Sequence, residues 1–181
     1  MFDYVGLKEE VKRYAGMNSL ETNPVKIGFD GINAQLAVIQ RVRDRLTEIL
    51  SEVISEKGSV EEALGHATYN YERACDKRFL NDDVKDLKNK DLQKAKANET
   101  LLSELMTLHT AEVEMIKIES FFKICNLAIS NIDSKLKCLF GQIDNIDRAM
   151  RLGLISKGDF VKNGNTTEWN LFKTEIKWDR Y

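Results

Sequence analysis

The chain has one proline, Pro24, and ten glycines in 181 residues. A loop-rich or all-β fold uses more of both at its turns, so their scarcity points to long regular helices. Histidine is equally sparse: His66 and His109 each stand without a second histidine four residues away or a cysteine pair at ligand spacing. Three cysteines, Cys75, Cys125 and Cys138, are an odd number with no metal-type spacing. They suit a reducing cytoplasm, with Cys125 acting as a small buried hydrophobe. The longest uncharged run of the main helical stretch, Ile124 to Ile132, falls short of the ~20 apolar residues that span a bilayer. No apolar segment of the secretory type follows Met1. Nor is there an excess of one charge. A net charge of −2 gives no global cationic field for nucleic acid or an acidic membrane.

Enzyme signatures are missing as well. There is no G-x-G-x-x-G and no P-loop Gly-Lys-Ser/Thr. Ser51 and Ser55 have no nucleophile-elbow surroundings. Glu112, Glu114 and Glu119 lack the Glu-x-x-His partners of a bundle metal site and read as a solvated face. The residues therefore point to a non-enzymatic protein without metal or cofactor.

What the chain does have is a heptad pattern. Leu108, Ala111, Met115, Ile118, Phe122, Cys125, Ile129, Ile132, Leu136, Leu139, Ile143, Ile146 and Met150 recur at alternating steps of three and four. This predicts a coiled-coil-like helix from about Thr100 to Leu152. At 1.5 Å per residue it would be ~80 Å long. Gly153 is its natural stop.

The rest reads as shorter pieces. A first helix covers Phe2 to Ala15, with Phe2, Leu7, Val11 and Tyr14 on one face and Gly16 as its end. Met17 to Asp30 reads as a connection, because Asn23-Pro24 favours a turn and Gly28 and Gly31 discourage helix. A second helix runs from about Gly31 to Lys57 on the seam Ile32, Leu36, Ile39, Arg43, Leu46, Leu50 and Val53, widened by Val42 and Ile49. Arg43 on that seam needs a partner or a route to water. Gly58 then resembles a helix-ending glycine, and Ser59-Val-Glu-Glu62 a capping box. Together they predict a tight helical hairpin. Its second arm, from Val60 to about Leu80, is rich in alanine and tyrosine and suits close approach to a neighbour. Asn81-Asp82-Asp83 looks like a break, followed by a lysine-rich piece from Val84 to Ala97.

The expected architecture is thus all-α: a helical hairpin packed on one long helix, in an oligomerising domain 1–152 with an appendage 153–181. The longer hairpin arm spans only ~40 Å, so roughly half of the long seam would need a second neighbour. Ile118, Phe122, Ile129, Ile132, Leu136, Leu139, Ile143 and Ile146 are the candidates for contact between copies of a homo-oligomer.

Two further stretches are candidates for binding. Arg73, Lys77, Arg78, Lys88, Lys90, Lys94 and Lys96 form a basic segment with Tyr69, Tyr71 and Phe79 before or within it. Cations hold phosphates and aromatic faces stack on unpaired bases, a combination that suits single-stranded nucleic acid. Glu72, Asp76, Asp82, Asp83, Asp86 and Asp91 lie in the same stretch, so a mixed solvated surface is the other reading. In the tail, Trp169, Phe172 and Ile176 have helical spacing, although a strand through Phe172, Thr174, Ile176 and Trp178 is open. Trp169, Phe172 and Trp178 either dock on their own chain or contact a neighbouring copy or another protein.

The order of elements carries a resemblance. The first helix with Leu7-Lys-Glu-Glu-Val11 precedes a hairpin whose second arm holds Tyr69-Asn-Tyr71-Glu-Arg73 and Lys77-Arg78. After the polar break come Leu92-Gln-Lys-Ala-Lys-Ala97 and a long helix ending in Ala128-Ile-Ser-Asn-Ile132 and Gln142-Ile-Asp-Asn-Ile146-Asp-Arg-Ala-Met150. This resembles the UvsY-type recombination mediators of T-even-like phages over about Leu7 to Met150. The resemblance implies a ring-like homo-oligomer in the host cytoplasm. It would bind single-stranded DNA through Arg73, Lys77, Arg78 and Lys88 to Lys96, and help load a recombinase. The alternative is a phage structural or adaptor protein that acts through protein contacts.

Overall fold

The computed structural model describes residues 3–16, 24–86 and 88–154. All regular structure among them is helical: α1 (Tyr4–Ala15), α2 (Pro24–Phe79), α3 (Asp82–Lys85), α4 (Lys90–Thr100) and α5 (Leu102–Arg151). The all-α expectation holds. The expected appendage lies outside the described residues from 155 onward, and with it Trp169, Phe172 and Trp178.

Helix α1 starts where Asp3 Oδ1 accepts the Gly6 N–H at 2.9 Å, satisfying one of the donors a helix leaves open at its N-terminus. It stops at Gly16, whose N–H reaches Lys12 O at 2.9 Å. The long helix α5 ends in a Schellman turn. Gly153 takes a left-handed φ of 68°, and the N–H groups of Gly153 and Leu154 bond back to Met150 O and Ala149 O, both at 3.0 Å.

The second helix departs from expectation at both ends. It begins at Pro24 rather than near Gly31. Proline is well suited to a first helical position, because its fixed φ is helical and its missing N–H would have had no partner there. The predicted hairpin turn at Gly58 and Ser59 does not exist, for both residues lie inside one helix of 56 residues. Gly58 is not left-handed. The Ser59 hydroxyl donates back to Ser55 O at 3.5 Å instead of capping a new helix, and Lys57 and Glu61 pair across the site at 3.2 Å. The physical reason is phase. The buried face of Ile49 and Val53 continues through half-buried Glu56, Lys57, Val60 and Leu64 to buried Ala67 and Cys75. An uninterrupted helix keeps these positions on one face, which outweighs the ~1 kcal/mol that an internal glycine costs.

The described chain forms two compact units. One comprises Ile49–Ile124 and the other Asp3–Glu48 with the chain from Cys125 onward. In the second unit α5 runs antiparallel to α2. Ile32 packs with Ile146, flanked by Ile143 and Met150, and Arg43 Nε meets Asp133 Oδ1 at 2.6 Å. The fully covered α2 positions here are Ile32, Gln35, Ile39, Val42 and Leu46. Arg43 is therefore off the seam, 44% exposed with its carboxylate partner, and Val42 takes the buried place. Leu36 gives way to Gln35 in the same manner and is half-buried.

Helix α1 contributes buried Val11 and Tyr14 to this unit. Glu10 receives Arg45 Nε at 2.9 Å and the Tyr14 hydroxyl at 3.0 Å. Burial pushes the Glu10 carboxyl up, but these hydrogen bonds outweigh it and hold the group below its usual range. A lowered native carboxylate stabilises the fold fully above its unfolded value, and the gain is lost as pH falls through the native value. Arg45→Met is accordingly expected to cost about 1–2 kcal/mol at neutral pH. That deficit should shrink below about pH 4, which urea unfolding at pH 7 and pH 3.5 would show.

In the unit Ile49–Ile124, α2 and α5 are again antiparallel, with Lys57 Nζ 5.7 Å from the Phe122 ring centre. Within single chains of this structure Ile118, Ile132, Leu136, Leu139 and Ile146 are buried, and Phe122, Ile129 and Ile143 half-buried. Because α2 does not turn back at Gly58, part of it lies beside part of α5 in each unit.

Candidate functional site

The basic segment lies wholly within the unit Ile49–Ile124, and the fold sorts its members. Tyr69, Arg73 and Lys77 are four residues apart on α2, so they form a line along one helix face. All three are exposed, the Tyr69 ring by 59%. Arg78 points elsewhere. It is half-buried, and its Nε donates to Thr100 Oγ1 at 3.0 Å. Tyr71 donates its hydroxyl to Asn98 Oδ1 at 2.6 Å. Burial, together with the neighbouring Cys75, pushes that phenol up and keeps it a donor. Tyr71 and Arg78 thus work as ties that hold the last turn of α4 against α2, rather than as ligand-facing groups.

The link and α4 supply the other cations. Buried Val84 anchors the single turn α3, and Asn89 Oδ1 caps α4 by accepting the Asp91 N–H at 2.8 Å. Lys88 is exposed just before that cap, and Lys90 and Lys94 stand one turn apart on α4, both exposed. Lys96 faces a different direction and pairs with Glu99 at 2.9 Å. Five of the seven predicted basic residues therefore present free-standing cationic surface, while Arg78 and Lys96 are engaged. Exposed Glu72, Asp76, Asp86 and Asp91 interleave with them.

The other chemical candidates stay apart. His66 and His109 are about three-quarters exposed, at 3.8 Å from Glu62 and 3.7 Å from Glu112 respectively. Among the described residues no group of three or more His, Cys, Asp or Glu side chains could hold a metal ion. Cys75 and Cys125 are buried and Cys138 is exposed. Burial pushes the Cys125 thiol up to about 11, so it is a packing residue rather than a nucleophile. No helix among the described residues is long and apolar enough to cross a membrane.

One feature escaped the sequence reading. Between α2 and α5 in this same unit lies an open groove of about 630 Å³. Its α2 wall is Ser59, Val60, Ala63 and Ala67, its α5 wall Thr107, Thr110 and Ala111, and Glu56 and Glu114 are also on its lining. The alanines had suggested close approach of the two helices. Here the small side chains instead leave space that neither helix fills. Met106 on the groove and Leu102 and Ile116 on the same helix are more than half exposed. The available signal was the run of small residues at helical spacing on both walls, but spacing alone does not say whether two helices close over such a run.

No protein-family model matches the chain, and neither the curated proteins nor the solved structures contain a significant match.

Proposed function

We propose that the protein binds single-stranded nucleic acid without catalysing a reaction, as a homo-oligomeric phage recombination mediator that helps load a recombinase. The observation that carries the binding reading is the exposed line of Tyr69, Arg73 and Lys77 on α2. A ring presented to solvent one turn from Arg73 and two turns from Lys77 can stack on an unpaired base while the cations hold the adjoining phosphates. Lys88, Lys90 and Lys94 extend the cationic surface within the same unit. Duplex DNA lacks the free base face, so the ring favours single strands. The near-neutral net charge makes one patch weak. Several copies on one strand would raise the affinity through multivalency, and the step to recombinase loading follows the resemblance.

Fluorescence anisotropy with a labelled dT oligonucleotide tests it. The wild-type protein is expected to bind more weakly as salt rises. Charge reversal of both Arg73→Glu and Lys77→Glu should flatten the plot of log affinity against log salt by about 1.4, at about 0.7 per released counterion on single strands. Tyr69→Ala should lower affinity by about 5- to 150-fold, the range of one lost base stack. Lys123→Glu, an exposed charge on α5 outside the patch, is the control. Binding that is equally insensitive to all three changes would overturn the reading.

A second reading has its own observation. The open groove and the exposed Leu102, Met106 and Ile116 fit an adaptor that works through protein contacts. Such a protein would bind no oligonucleotide at low salt.

A further inference from the structure

The geometry points to His66 as a second phosphate contact of the Tyr69 site, one that holds a single strand more tightly as pH falls from about 8 to about 6. This rests on the single-strand reading proposed for the same site. His66 stands three residues before Tyr69, seven before Arg73 and eleven before Lys77. Steps of three and four keep side chains on one helix face, and α2 is unbroken over this stretch. The four residues thus form one line of ~16 Å at helical rise. All four are exposed, the His66 side chain by 74%. The line lies wholly within the unit Ile49–Ile124.

The order along the line assigns the role. A nucleotide inside a strand has a phosphate on each side of its base. With the base stacked on Tyr69, Arg73 lies one turn to one side and holds one of these phosphates. His66 lies one turn to the other side, where the second phosphate is. Lys77 continues toward the phosphate beyond Arg73. Histidine is the side chain whose charge ordinarily changes between pH 5 and 8. An imidazolium meets the phosphate as a charged donor, whereas a neutral imidazole brings no charge. Proton uptake therefore favours binding. On α2 itself, Glu62 stands 3.8 Å from His66 Nε2, and both side chains of that pair are about three-quarters exposed. Water screens such a pair, so a phosphate can join it at little cost. Helix α5, packed beside this stretch, brings Glu114 to the groove along Ala63 and Ala67, where it pairs with Lys117 at 2.7 Å. His109 of α5 pairs with Glu112. Helix α4 meets α2 through the uncharged Asn98 and Thr100. Among the described residues, Glu62 is thus the one carboxylate within ion-pair distance of His66.

The chain has two histidines, so a response over this pH range can be assigned by substitution. The test is anisotropy of a labelled dT oligonucleotide with the full-length chain, at several salt concentrations, at about pH 8 and about pH 6. Wild type is expected to bind about fivefold more tightly at the lower pH in ~0.1 M salt, with the plot of log affinity against log salt steeper by about 0.7, the value of one further phosphate contact on a single strand. His66→Gln should lose this gain. His66→Lys carries its charge at both pH values, so it should hold the low-pH affinity and slope throughout, which also shows that position 66 accepts substitution without loss of the fold. His109→Gln should keep the wild-type response. A wild type that binds with the same affinity and slope at both pH values overturns this inference and leaves the single-strand reading standing. A response that survives His66→Gln, or disappears in His109→Gln, does the same. A wild type that binds at neither pH overturns both.

Discussion

Ser59→Pro should cost at least about 3 kcal/mol, among the largest effects any surface substitution has on this protein. Ser59 is exposed, so no packing is at stake. The whole effect comes from the backbone. Inside a continuous helix, proline removes the bond from position 59 to Ser55 O and drives its ring against that carbonyl, which already accepts the Ser59 hydroxyl. At the start of a new helix the same proline would forfeit only a cap, about 1 kcal/mol. Gly58→Ala decides the matter by sign. No atom lies within 4 Å of a Cβ added at Gly58, so in a helix alanine should stabilise by about 0.5–1 kcal/mol. At a left-handed helix end it would destabilise by about as much. Chemical denaturation followed by helical circular dichroism measures both. A tolerated Ser59→Pro together with a destabilising Gly58→Ala would restore the hairpin.

This pair of residues also marks where the sequence stopped being sufficient. Gly58 and Ser59-Val-Glu-Glu62 carry every local sign of a helix boundary, and local signs are worth about 1 kcal/mol each. The competing term is the burial of the flanks, from Ile49 and Val53 to Ala67 and Cys75. That term depends on a partner helix which the local window does not contain. Gly153 shows the converse. It has the same glycine signal, but no apolar face in phase follows it, and the helix ends there with a left-handed glycine. The heptads of α5 were legible because thirteen positions repeat one pattern. The length of α2 was not, since it hinged on whether the helix turned back at Gly58. At the candidate site, composition located the cations, but the hydrogen bonds to Thr100 and Asn98 decided which residues of the segment are structural. The groove was hidden for a related reason: alanine spacing describes two walls and not the distance between them.

Leu139→Ala tests whether the long seam is covered by its own chain or by another copy. Leu139 is 1% exposed, and its truncation should cost about 2–5 kcal/mol, the lost transfer energy plus that of the cavity left behind. Leu127, on the same helix but 63% exposed, gives the comparison. Leu127→Ala should stay within about 0.5 kcal/mol of wild type. The contrast in size shows burial, and concentration shows whose burial it is. A side chain covered by its own chain stabilises the monomer, so its loss lowers stability equally at any protein concentration. A side chain covered by another copy stabilises only the assembly, whose apparent stability follows mass action. Unfolding of wild type and Leu139→Ala at about 1 µM and about 100 µM spans roughly 2.7 kcal/mol of association free energy for a two-body contact. The difference between the two proteins is expected to be the same at both ends of that range. A difference that changes across it would return Leu139, and with it Ile132, Leu136 and Ile146 of the same seam, to the contact between copies.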